Sequence, residues 1–89
     1  MSFFKNQRYQ VNVRNGEIYF KCLEQEGQSF SIPLDQIRNV FVYGKPPREV
    51  EIRTNNRVIF GIFRTTRTAH RAIEILRQVF GERFVQIHS

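Results

Sequence analysis

Arg8-Tyr9-Gln10-Val11-Asn12-Val13-Arg14-Asn15-Gly16-Glu17-Ile18-Tyr19-Phe20-Lys21-Cys22 is a pair of alternating polar and apolar runs joined by Asn15-Gly16. Alternation sorts side chains onto opposite faces of a strand. Asn-Gly suits the left-handed backbone of a two-residue hairpin turn. Such a turn sets Val13 opposite Ile18, Val11 opposite Phe20 and Tyr9 opposite Cys22, so one face is apolar throughout. On the other face Arg14 meets Glu17, a favourable cross-strand charge pair.

The next strand must bring Phe30 and Ile32 to the face of Phe20 and Cys22. A one-residue slip inverts every side chain, so a two-residue Glu26-Gly27 loop fails. A three-residue loop, Gln25-Glu26-Gly27, sets Cys22 opposite Phe30 and Phe20 opposite Ile32, with Gly27 in the left-handed position. This predicts a three-stranded meander from about Arg8 to Ile32. Pro33, which lacks a donor, ends it.

Leu34 to Ile37 reads as a turn and Arg38 to Tyr43 as a fourth strand, with Val40 and Val42 alternating against Phe41 and Tyr43. Gly44-Lys45-Pro46-Pro47 is a stiff loop. Glu49 to Thr54 alternates strictly, so one of its faces should be wet, with Glu49 and Glu51 solvated. Val58 to Phe63 is apolar on both faces, as for a strand covered on both sides or by a helix. Between these strands, a two-residue Asn55-Asn56 turn pairs Ile52 with Ile59 and Val50 with Gly61. Adding Arg57 to the turn pairs Ile52 with Phe60 and Val50 with Ile62. Turn chemistry favours the first register and apolar matching the second.

The period then changes. Ala69, Ala72, Ile73, Leu76, Val79 and Phe80 form one apolar stripe at helical spacing. Thr65, Thr66 or Thr68 can cap its start and Gly81 stops it, giving a helix over about 66–80. Residues 81–89 are a short tail, in which Phe84-Val85-Gln86-Ile87 alternates and is a candidate for a last edge strand.

The expected class is therefore α+β, a single domain over 1–89: six antiparallel strands within about 8–63, capped by one C-terminal amphipathic helix. Ser31-Ile32-Pro33-Leu34-Asp35-Gln36-Ile37-Arg38-Asn39-Val40, then Val50-Glu51-Ile52-Arg53-Thr54, then Phe60, Phe63 and the helix, resemble the pleckstrin-homology-like (PH-like) barrel. That family has seven strands in two near-orthogonal sheets, with a C-terminal helix plugging one open end. The resemblance implies a partly open barrel and binding of phosphoinositides, peptides or proteins rather than catalysis. The family's lipid site is a set of basic residues in its first loop. Here that loop is Arg14-Asn15-Gly16-Glu17, a tight turn with a single arginine, so anionic lipid at a membrane surface ranks behind other partners.

Composition narrows the chemistry. The 89 residues carry 14 basic and 8 acidic side chains, a net charge of +6. Arginine supplies 11 of the basic ones, and its planar fork suits carboxylates and phosphates. Cys22 is the one cysteine, which excludes an intrachain disulfide or a thiol-rich zinc site. It is expected in the core, where a thiol is inert. His70 and His88 make no metal-ligand spacing. No nucleophile–base pair, glycine-rich phosphate loop, catalytic residue, metal, cofactor or small-molecule substrate is expected. The N-terminus resembles no signal peptide and no apolar run approaches the ~20 residues of a bilayer span, which points to the cytoplasm.

One cluster stands out. Arg57, Arg64, Arg67, His70 and Arg71 gather around the end of the last strand and the start of the helix, and Arg77 and Arg83 extend the region. Arg67 and Arg71, four residues apart, share a helical face. Phe3-Phe4, ahead of the first strand, can tuck under the sheet or dock on a second chain. Three functions follow as expectations: a module binding a partner protein or a second copy of itself; a nucleic-acid-binding domain using these arginines and Tyr19, Phe41 or Tyr43 for stacking; and a reader of anionic lipid. Nucleic-acid binding requires the arginines and exposed aromatics on one continuous face.

Overall fold

A computed structural model describes residues 9–24 and 28–88. The element order is β1 (Tyr9–Arg14), β2 (Glu17–Cys22), β3 (Ser29–Pro33), a 3-10 turn (Leu34–Gln36), β4 (Ile37–Tyr43), β5 (Glu49–Thr54), β6 (Val58–Phe63), α1 (Thr66–Phe80), a second 3-10 turn (Gly81–Arg83) and β7 (Phe84–Ile87). The class is α+β with a C-terminal helix. The six-stranded antiparallel sheet gives way to one seven-stranded mixed sheet, ordered β3-β2-β1-β6-β5-β4-β7. The alternating tail is its last strand, and β1 with β6 and β4 with β7 run parallel.

The first hairpin has the register its sequence specifies, with Val13 opposite Ile18, Val11 opposite Phe20 and Tyr9 opposite Cys22. Asn15 and Gly16 turn it with φ of 53° and 74°. Arg14 and Glu17 are cross-strand neighbours without an ion pair. Arg14 lies over the Tyr19 ring at 4.8 Å, and Glu17 accepts a hydrogen bond from Ser31. Phe30 and Ile32 do reach the apolar face, but two residues out of the expected register: Phe20 pairs with Phe30 and Ile18 with Ile32. The shift lets the Phe20 and Phe30 rings stack at 4.8 Å, with Tyr9 edge-on to both. The Gln25-Glu26-Gly27 loop and Phe3-Phe4 lie outside the described residues.

At the β5–β6 turn the two-residue register holds, pairing Ile52 with Ile59 and Val50 with Gly61. The apolar mismatch at Gly61 has a reason in the neighbouring strand. A Cβ there would run into Val11 Cγ2 and lie 3.1 Å from the Tyr9 carbonyl oxygen. Glycine is what lets β1 close against β6.

The sheet must curl. Five strand spacings of ~4.8 Å separate β3 from β4, about 24 Å on a flat sheet, whereas Leu34–Gln36 bridge at most about 14 Å. The Leu34 N–H donates to the Gly16 carbonyl, which ties this short link to the first turn. The sheet nevertheless stays open, with β3 and β7 at its edges and no further strand on either among the described residues. Helix α1 lies across its inner face, capped by Thr65, whose hydroxyl accepts from the Thr68 N–H, and stopped at Gly81. Ala69, Ala72, Ile73, Leu76 and Phe80 pack on Val11, Ile18, Phe20, Val40, Val42, Val50 and Ile52. Val79, expected on this stripe, is 48% exposed instead, because the helix meets the sheet along a narrower line.

Candidate partner-binding edge

The residues of the expected arginine cluster occupy three places. Arg57 sits at the β5–β6 turn with its guanidinium 5.0 Å from the centre of the Phe30 ring. The six residues of β6, ~20 Å of strand, separate it from Arg64. Arg64 lies beside the helix cap, in a cleft shared with Lys45, Arg48 and Thr66. Arg67, His70 and Arg71 continue down one side of α1 with Glu74 and Arg77, and this side looks onto Gln86 of β7. Arg77 donates to the Gln86 side-chain oxygen at 2.7 Å. Arg67, His70 and Arg71 hold no hydrogen bond or ion pair among the described residues. Arg83 is structural: it lies over Phe80 and donates to the carbonyls of Ile37 and Arg38.

β7 forms the open side of this groove. The Ile87 carbonyl accepts from the Gly44 N–H on the β4 side. In a strand, successive residues direct their backbone groups to opposite sides. Val85 and Ile87 therefore bond to β4, and Gln86 directs its N–H and C=O to the free edge. No described strand pairs there. Phe84-Val85-Gln86-Ile87 carries no charge and no proline, two common guards of an edge. β3, the opposite edge, ends in Pro33.

The outer face of the sheet is open at β6 and departs from expectation on β5. β6 is covered on one side only among the described residues, leaving Val58 49% and Phe60 52% exposed. On β5 the expected wet position Glu51 is buried, 6% exposed. Glu51 accepts from the Tyr43 hydroxyl at 2.9 Å and pairs with Arg53, the sole ion pair among the described residues. Arg53 also covers the Phe41 ring at 4.6 Å. The hydrogen bond to Glu51 raises the Tyr43 pKa above 10.0, helped by burial and by the carboxylate's charge. Charge is thus neutralised at the centre of a face rimmed by Phe60, Val58 and Val85, the last 37% exposed.

These aromatics are on the side of the sheet away from the helix and its arginines. Tyr19 and Phe41 are already covered by Arg14 and Arg53. Cys22 is a buried free thiol, while His70 and His88 are exposed. Among the described residues no group of His, Cys, Asp and Glu is placed to hold a metal ion, and no helix is long and apolar enough to cross a membrane. Composition could flag the arginines. Gln86, Phe60 and Val85 lie outside that cluster, and their signals are the alternation of Phe84–Ile87 and the doubly apolar β6. Compared with family models, curated proteins and solved structures, the chain matches none.

Proposed function

We propose that the chain is a non-catalytic protein-interaction module that accepts an extended segment of a partner protein as an added strand on β7. The observation that carries this reading is the outward-directed backbone of Gln86 on an uncharged edge, flanked on the outer side by exposed Val85. Strand addition obtains affinity from main-chain hydrogen bonds and specificity from alternate side chains. The PH-like resemblance belongs to the same proposal, since a curled sheet with a C-terminal helix and peptide binding are both what that family implies. The separation of the arginines from the uncovered aromatics argues against a stacking platform for nucleic acid. A second copy of the chain is the less favoured occupant, because each copy brings a net charge of +6.

Selection from a random peptide library displayed on phage tests the reading. The wild-type chain should enrich extended, proline-poor sequences, and Gln86→Pro, which removes the outward N–H, should not. Equal enrichment by the two proteins, or none by either, would overturn it.

A further inference from the structure

We infer that the segment bound on β7 carries acidic side chains on the positions facing α1 and apolar ones on the alternate positions. This rests on the strand-addition reading and specifies the partner's chemistry. A strand laid along the free edge of β7 sends alternate side chains to the two faces of the sheet. Those on the inner side enter the groove walled by Arg67, Arg71 and Arg77 and floored by Gln86. Those on the outer side meet Val85 and the apolar rim beyond it.

Charge and spacing both favour carboxylates in the groove. Arg67 and Arg71 are without a charge partner among the described residues. Glu74 sits one helical turn from Arg71 and from Arg77 and offsets only part of the wall's charge. At 1.5 Å per residue, Arg67 and Arg71 stand about 6 Å apart along the helix, and Arg71 and Arg77 about 9 Å. Side chains on one face of a strand repeat every ~6.7 Å. Carboxylates at alternate positions therefore repeat at a spacing close to that of Arg67 and Arg71, whose forks donate to a carboxylate in bidentate geometry. Lysine-rich segments are repelled by the same wall.

The test uses two short synthetic peptides, one alternating Glu and Val and one alternating Gln and Val, titrated by fluorescence anisotropy against the full chain. The Glu peptide should bind more tightly, and its advantage should shrink as salt rises. Arg67→Gln and Arg71→Gln should each weaken the Glu peptide roughly threefold to fivefold, the upper range for exposed ion pairs. Neither should affect the Gln peptide. Gln86→Pro should abolish binding of both while its thermal unfolding stays cooperative. Equal affinity for the two peptides, unchanged by the arginine variants but lost in Gln86→Pro, would overturn the acidic preference and leave strand addition standing. Binding that survives Gln86→Pro would overturn strand addition itself. A mixed-sequence single-stranded oligonucleotide that displaces the Glu peptide, depends on Arg67 and Arg71 and ignores Gln86→Pro would assign the wall to nucleic acid and overturn both.

Discussion

Val40 and Val42 point inward from β4 and are fully buried, whereas Phe41 and Tyr43, each one residue further along, point outward and are half-covered. The same contrast runs through β6, where Ile59 and Phe63 are buried and Phe60 is half-exposed. The inner face is packed by a helix from its own chain. The outer face is finished differently: Arg53 lies on Phe41, Tyr43 and Arg53 hold Glu51, and Val58, Phe60 and Val85 remain open. Buried area stabilises the inner face. On the outer face satisfied polar groups matter locally, and the apolar residues contribute little to folding, which leaves them free for a partner.

The largest effects should come from breaking the inner face. Leu76 and Phe20 are almost wholly buried where helix and sheet meet. Leu76→Ala should cost about 2–5 kcal/mol and Phe20→Ala about 3–5 kcal/mol, through lost transfer energy plus the cavity left behind. Urea unfolding of each variant checks this. A near-neutral Leu76→Ala would mean that α1 contributes no packing energy to the sheet.

Gly61→Ala probes the seam between the two hairpin systems. The added methyl meets Val11, a buried β-branched side chain with little room to rotate. Overpacking of this kind costs about 1–3 kcal/mol. Hydrogen exchange should quicken along β1 more than along β5, because the clash lies on the β1 side of β6. An unchanged melting temperature would remove the close approach from the fold.

Tyr43 brings the comparison to the outer face. Its pKa is raised chiefly by the hydrogen bond to Glu51. A raised folded-state value means that the stabilisation is whole below pH 10.0 and is lost as pH climbs through the raised value. Tyr43→Phe should cost about 1 kcal/mol at neutral pH. It should also flatten the loss of stability above pH 10.0 that the raised value implies for the wild type. Parallel stability curves for the two proteins in that range would show that Tyr43 does not couple to Glu51.

The inner face is also the part that can be read from the sequence. Alternation, Asn15-Gly16, the helical stripe and the Thr65 and Gly81 boundaries are local signals, and local physics decides them. Parallel pairing of β1 with β6 and of β4 with β7 is long-range and carries no local signature. The tail could be seen to alternate without revealing that β4 would receive it. The Phe20–Phe30 register has no signal in the alternation, because parity fixes only the face, while ring stacking chooses between two registers of equal parity. Glu51 looked wet because alternation ignores neighbours across strands, and Tyr43 and Arg53 are what cover it. The arginines were visible as a group, yet chain proximity placed Arg57 with residues that the full length of β6 separates from it.

Phe60→Thr gives the smallest expected change in stability and the sharpest division between the faces. Threonine keeps the strand preference of a β-branched residue, so the substitution mainly removes apolar surface. Phe60 is 52% exposed and lies opposite Glu51 on the outer face. Much of its ring is therefore already in water, and the change in unfolding free energy should stay within about 0.5 kcal/mol. The variant should also bind less of a dye that reports exposed apolar surface. A loss near 2 kcal/mol would instead match a well-covered aromatic residue. It would point to cover from Phe3-Phe4, the apolar pair that the sequence carries ahead of the first strand. Repeating the measurement in a Phe3→Ser, Phe4→Ser background decides between the two. If the N-terminal phenylalanines cover Phe60, the two changes will not add. If the face is open, the Phe60→Thr effect will be the same small value in either background.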